Sequence, residues 1–358
     1  MKKILSTAIE ACILLCCLSI ALGQTPQKPL ENVFTLELQF GDKDVPSEYL
    51  LAQPYRIAVN DAGDIYVFDE YKVKVFDKNG KPKKIFGGQG QGPGEFYEFP
   101  TNFFISPTGW LTVSESQSYS IFSPANKFVD KIRYSSIPAF NSLKNDYKIN
   151  LGSIAFNAKI FALNEKECII HGNTATTENY NEENEYYDYL FHTNADKLSV
   201  LTKYRDVATF TYKIQRGGGS RRVAMLGGLW YAIISSSKIL YTHTFHDVKF
   251  STNTAQLTFH IVSLASNAKS EFSVAYKPEV IPDSVIKSYN TSSDAQKDMY
   301  KRIENAFKQR KYMPLFTVMR SDGIYIFLVK NDTESRSIKY IVTVINSESG
   351  KEVSKFIT

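Results

Sequence analysis

The chain has 358 residues, 43% hydrophobic and 13% aromatic, with a formal net charge of +5. Aromatics at that level, 22 Tyr and 24 Phe among them, favour strands. A charge so mild and dispersed excludes the concentrated basic stripe that nucleic acid demands.

Residues 1–23 carry a basic start, Lys2 and Lys3, then an apolar run over 11–22. Small residues Ala21 and Gly23 stand before Gln24. This pattern reads as a cleaved secretory signal peptide, too short to span a membrane. It predicts export to the periplasm or the exterior. Lipidation at Cys16 or Cys17 is the disfavoured alternative, because Leu15 and Cys16 precede them where a small residue is wanted. No later run of apolar residues is long enough for a transmembrane segment. Beyond the signal peptide the chain keeps one cysteine, Cys168, so no intramolecular disulfide is expected. Cys168 sits in a strand-like run and reads as a small buried apolar residue.

Residues 24–30 are rich in Pro, Gln and Lys and read as a flexible leader. Residues 33–40 alternate strictly, as a strand does, and stand ahead of the first full unit. A leading strand of this kind is expected to pair with the last sheet and close a ring.

Residues 54–86 then repeat in pattern 46 positions later. Pro54 matches Pro100, Ile57 matches Phe103 and Val59 matches Ile105. Gly63 matches Gly109, Ile65 matches Leu111, Val67 matches Val113 and Asp69 matches Glu115. Val75 and Phe76 match Ile121 and Phe122. Each unit reads as four short strands joined by turns, Asn60–Gly63 and Asp77–Gly80 being the first two. One such sheet cannot bury both faces and needs neighbours around an axis. A period of about 40–50 residues built of short strands is the mark of β-propeller blades. The expected fold is therefore all-β, a propeller of four-stranded antiparallel blades over residues 31–358. Weaker units follow over 159–201, 229–276 and 315–357, which with the leading strand leaves five or six blades.

Residues 283–311 break the strand pattern. Met299, Ile303 and Phe307 recur at helical spacing, and Glu304 and Lys308 form an i,i+4 pair. One inserted helix is expected there. Residues 173–188 are polar and read as a long rim loop.

Between the first two units runs Gly87-Gly88-Gln89-Gly90-Gln91-Gly92-Pro93-Gly94-Glu95-Phe96. It lacks the Lys-Ser/Thr of a phosphate loop, and no helix follows, so it reads as an inter-blade connection. A Val-Phe-Asp hairpin followed by Gly-Gln-Gly-Pro-Gly-Glu-Phe resembles secreted six-bladed β-propeller proteins of Bacteroidota, which are similar to NHL-repeat propellers. Residues 54–133 carry the resemblance. It implies a ring of sheets around a channel and no defined reaction, since most such members look like binding proteins.

Some NHL-like propellers are lyases or lactonases with a metal in the channel, which requires converging His or carboxylate ligands. The five histidines are His171, His192, His243, His246 and His260. Residues three apart in a strand face opposite sides, so His243 and His246 are not expected to chelate. Asp69 and Glu115 occupy matching rim positions. Repeated acids there either bind a cation or, the preferred reading, fix the next turn. Arg221 and Arg222 follow Gly217-Gly218-Gly219-Ser220, taken as a flexible loop, and are treated as a solvated rim surface, as is 308–311. No nucleophile-elbow Gly-x-Ser-x-Gly or cofactor motif is legible. The chain is expected to be a non-enzymatic binding protein using rim loops, its partner a protein or a glycan. The alternative is a metal-dependent lyase or hydrolase acting in the channel.

Overall fold

The computed structural model describes residues 28–29, 38–41, 45–133, 145–146, 158–173, 186–194, 197–214, 217–289, 296–331 and 339–357. Residues 1–23, read above as a signal peptide, and residues 174–185 of the expected rim loop lie outside the described residues. In chain order the strands are β1 (Lys28–Pro29), β2 (Pro54–Val59), β3 (Ile65–Asp69), β4 (Lys72–Phe76), β5 (Pro82–Gly87), β6 (Asn102–Ile105), β7 (Leu111–Ser114), β8 (Ser118–Phe122) and β9 (Phe128–Arg133). There follow β10 (Ala158–Ala162), β11 (Glu167–Asn173), β12 (Tyr187–Asn194), β13 (Lys197–Arg205), β14 (Thr209–Ile214) and β15 (Gly217–Arg222). Next come β16 (Leu229–Ser235), β17 (Lys238–His243), β18 (Val248–Phe250), β19 (Ala255–Ser263) and β20 (Lys269–Tyr276). Helices α1 (Asp283–Lys287) and α2 (Lys297–Arg310) precede β21 (Val318–Ser321), β22 (Tyr325–Asn331), β23 (Tyr340–Asn346) and β24 (Glu352–Ile357).

In chain order the antiparallel sheets are the first (β2–β5), the second (β6–β9), the third (β10–β13), the fourth (β16, β17, β19 and β20, which also carries β18) and the fifth (β21–β24). The 46-residue repeat is a repeat of strands, since β4 and β5 recur as β8 and β9 at that offset. Gly63 and Gly80 end their turns at φ +82° and +76°, a region that side chains with a Cβ avoid.

Alternation along each strand sends apolar side chains to both faces, and neighbouring sheets share them. Tyr66, Phe68, Val73 and Val75 of the first sheet pack with Leu111, Val113 and Phe122 of the second. Phe96, from the glycine-rich connection, fills the same layer and is fully buried. The connection folds back through Phe96 N–H to Gly88 O at 2.8 Å and Gly92 N–H to Glu95 Oε2 at 2.8 Å. Its glycines therefore serve packing. The second and third sheets share Ile121, Ile160, Ile170 and Phe191. The third and fourth share Leu190, Leu201, Ile239 and Val262, and the fourth and fifth Leu240, Phe259, Phe316 and Leu328. Complete burial of each such side chain contributes about 1.5–3 kcal/mol.

Among the described residues no shared cluster joins the fifth sheet to the first. The N-terminal stretch links them instead. β1 pairs in parallel with β24, Lys28 opposite Phe356 and Pro29 opposite Ile357, while Phe40 packs on Phe76 of the first sheet at 4.7 Å. This pairing uses Lys28–Pro29, which the sequence assigned to the leader. Pro29 has no N–H to donate, which suits a short bridge at a sheet edge. Residues 33–37 lie outside the described residues, and 38–40 are not strand.

The expected single helix is a pair, α1 and α2. Met299, Ile303 and Phe307 bury one face of α2 against Ala208, Val223 and Leu226, which flank the hairpin β14–β15. Two stretches far apart in sequence thus build one small side module. Lys311 ends α2 at φ +64°. Arg310, expected on a solvated surface, is buried instead and donates to Leu226 O and Thr244 O, each at 2.8 Å. It pins the end of α2 to the module and to the fourth sheet.

Candidate functional site

The matching acids Asp69 and Glu115 are 0% and 3% exposed. Asp69 accepts the N–H groups of Ala52 and Gln53 at 3.2 and 2.5 Å and pairs with Lys74 at 2.6 Å. Glu115 accepts the N–H groups of Tyr97 and Glu98 at 2.6 and 2.9 Å and pairs with Lys131 at 2.7 Å. In both sheets the acid captures two backbone N–H groups of the segment leading into that sheet. Neither faces solvent, so the rim is not where their charge acts.

Gly217–Ser220 corrects another expectation. It is not a loop but most of β15, paired residue for residue with β14, Gly217 opposite Ile214 and Arg222 opposite Thr209. Arg221 lies over the rings of Tyr289 and Tyr300, at 5.0 and 5.5 Å, and donates to the Tyr300 hydroxyl. Arg222 is not merely solvated either. Its Nη1 lies 3.1 Å from Asp206 Oδ2 and its Nη2 3.3 Å from Asp188 Oδ2.

Both acids are buried, Asp188 completely. Asp206 also caps the turn into β14, accepting Ala208 N–H at 2.8 Å. Asp188, on β12, faces Asn173 on β11, whose amide donates to it, and His171 Nε2 lies 3.7 Å away. Burial alone would raise the Asp188 pKa. The neighbouring His171, then Arg222 and His243, outweigh it and hold the carboxyl below the usual range.

The chain turns directly after β17, which brings the His243 and His246 rings to 4.5 Å. The expectation that they point apart fails because the strand ends at His243. They still do not form a chelate. His243 Nδ1 accepts the N–H groups of Phe245 and His246 at 3.1 and 3.3 Å, and His246 Nε2 faces Arg205 O at 2.8 Å. A neutral His243 therefore carries its proton on Nε2, which is buried with no hydrogen-bond partner among the described residues. Burial, then His246, pushes the His243 pKa down to about 3. His192 pairs with Glu167 at 2.6 Å and His260 with Asp247 at 3.4 Å. Cys168 is a buried free thiol beside Thr193 Oγ1 at 3.0 Å, and burial pushes its pKa up to about 11. No group of three or more His, Cys, Asp or Glu gathers as a metal site among the described residues.

Three further cations, Arg56, Lys159 and Arg320, lie on first strands. The residue pairs that close the first hairpin of the first three sheets are Val59 with Ile65, Ile105 with Leu111 and Ala162 with Cys168. Three residues before each closing pair, on the same register position, stand Arg56, Asn102 and Lys159. Equal register in equivalent sheets means equal orientation to the axis. Asn102 donates to Ile160 O at 2.9 Å, across to the next sheet's first strand. Arg320 lies on β21, the first strand of the fifth sheet. Lys159 and Arg222 are both solvent-exposed, yet burial is the largest influence on the pKa of each. Burial, then the charges of Arg320, Arg222 and Arg56, holds the Lys159 pKa below that of a free lysine. Cations from the first, third and fifth sheets and from β15 therefore act on one point. Sequence reasoning singled out Arg222 only. Aligning the hairpin-closing pairs would have exposed the Arg56–Asn102–Lys159 series.

A family model described as a 6-bladed beta-propeller, DUF5128, matches residues 43–242, more than half of the chain. The chain belongs to this family. Its description gives six blades, where the described residues of this propeller build five four-stranded sheets and the β14–β15 hairpin. No curated protein matches the propeller. Among solved structures it is similar to the Neurospora crassa Pan2 WD40 domain, at 8% identity and TM-score 0.33, with 84% of this chain and 65% of that one covered. It is also similar to the WD40 domain of SCAP from fission yeast, at 12% identity and TM-score 0.29, over 87% of this chain and 78% of that one. A Bacteroides caccae protein of unknown function matches at 10% identity and TM-score 0.24, over 80% of this chain and 90% of that one. The propeller thus spans less than two thirds of the length of the Pan2 domain. These scores carry no argument about function. No helix among the described residues is long and apolar enough to cross a membrane.

Proposed function

We propose that this propeller is an exported, NHL-like binding module that holds its ligand against the inner wall formed by the first strands. Export rests on the signal-peptide pattern of residues 1–23, and residues 31–358 are read as one propeller domain. The observation that carries the reading is the placement of Arg56, Asn102 and Lys159 at one register position, with Arg222 and Arg320 acting on the same point. Side chains in successive sheets acting on one point suit a ligand that bridges sheets. The rim acids are consumed by backbone N–H groups, and Gly217–Arg222 is strand, so the seat moves from the rim loops to the wall. A metal-dependent lyase or hydrolase would need three or more converging His, Asp or Glu side chains, and among the described residues no such group gathers.

Asn102→Trp places a bulky ring among the wall residues and removes no charge. A thermal-shift screen of small metabolites and oligosaccharides is expected to give hits with the wild type that the variant loses, while the unliganded variant, which gives up the hydrogen bond to Ile160 O, melts lower than wild type but still cooperatively. Hits that persist unchanged in Asn102→Trp would place the seat elsewhere.

A further inference from the structure

The charges on this wall have a sign, and the sign identifies a ligand class. Resting on the wall reading above, we propose that Arg56, Lys159, Arg222 and Arg320 form an anion seat for a ligand with two or more carboxylate, sulfate or phosphate groups.

The register argument gives Arg56 and Lys159 a common orientation from the first and third sheets. Arg320 enters from the fifth sheet and Arg222 from the end of β15. The partners of these four are unequal. Arg222 is held by Asp188 and Asp206, which fix its guanidinium without removing it from water, since its side chain stays 41% exposed. Arg56 lies over its neighbour Tyr55 at 4.3 Å, and Arg320 donates to its neighbour's carbonyl, Met319 O, at 3.0 Å. Both contacts are local and leave most of each five-donor fork open. Among the described residues, two acids held by Arg222 stand against four cations, a net positive balance.

Gathering like charges at one point opposes folding, and low-dielectric surroundings strengthen the repulsion. An arriving dianion relieves it and gains forked hydrogen bonds from guanidinium groups, whose geometry matches oxyanions. Separate sheets supply the cations, so two anionic groups on one ligand are met better than a single one. The wall spacing, and not one residue, then selects the ligand.

The test is calorimetric titration of inorganic pyrophosphate and of citrate into the purified mature protein, with chloride as background and a neutral disaccharide as control. The arms separate phosphate from carboxylate sources. At least one of the two polyanionic probes is expected to bind saturably, with affinity falling as salt rises. Lys159→Gln should weaken that probe about tenfold or more, equivalent to about 1.4 kcal/mol. Lys238→Gln, which removes an exposed lysine paired with Glu348, should leave it unchanged. The same probe should raise the wild-type melting temperature, and Lys159→Gln without ligand should melt at or above wild type because a repulsive charge is gone. Failure of both probes to bind, or equal binding by Lys159→Gln, overturns the anion seat. The Asn102→Trp screen still judges the wall reading in that case, because a neutral hit lost in that variant keeps the wall and discards the charge preference.

Discussion

Asp69→Ala is expected to destabilise the propeller by about 3–5 kcal/mol, the range for breaking a buried ion pair from one side. Lys74 is 4% exposed in its side chain and Asp69 is 0%. Removing the carboxylate strands the ammonium in the core and leaves the N–H groups of Ala52 and Gln53 without their acceptor. Lys74 also donates to Leu50 O, which does not neutralise its charge. Urea unfolding would measure the loss. The double variant Asp69→Ala with Lys74→Met should recover part of it, because the stranded charge is gone and only the N–H groups remain unpaired. A loss under about 1 kcal/mol in the single variant would mean that the pair is in contact with water and the reading of a buried anchor is wrong.

Acidification from about pH 7 to about pH 5 is expected to cost the wild type about 2 kcal/mol, through His243. The ring is fully buried, and its folded pKa lies near 3 against 6.5 for an unfolded histidine. Between those values the unfolded chain holds a proton that the folded state refuses. Stability is therefore whole above 6.5 and lost as pH falls, at about 1.4 kcal/mol per unit. The other shifted groups act in other windows. His260, raised first by its hydrogen bond to Asp247, contributes fully below 6.5 and loses that contribution as pH rises through its folded value. Asp188 and Asp247 are held below 3.8, so what they contribute is lost only as pH falls through the acid range beneath it. His243→Gln should flatten the slope between about pH 6.5 and about pH 5. An identical slope in the variant would assign it to another group.

The repeat made the sheets legible before any coordinates. β4 and β5 recur as β8 and β9 at one constant offset because each blade solves the same packing problem with the same alternation. Helix α2 was legible for a similar reason, since Met299, Ile303 and Phe307 mark a single buried stripe. Its partner was not. The module joining α2 to β14–β15 brings together stretches with no local pattern in common, and three glycines in β15 give no hydrophobic alternation to read. The site was hidden by a different cause. Lys159 looks like any polar residue at the start of a strand, and its meaning appears only when the register of three hairpins is superposed. Arg222 looked solvated because Asp206 and Asp188 reach it from 16 and 34 residues away.

The convergence of cations on Lys159 is the central claim, and the ammonium of Lys159 reports it directly. Its pKa can be followed by NMR in protein labelled on lysine, assigned by comparison with Lys159→Gln. The account predicts a value below the 10.5 of a free lysine, and a value nearer to it in Arg320→Gln, since one repelling charge has been removed. An unshifted Lys159, or a shift untouched by Arg320→Gln, would contradict a shared cationic wall.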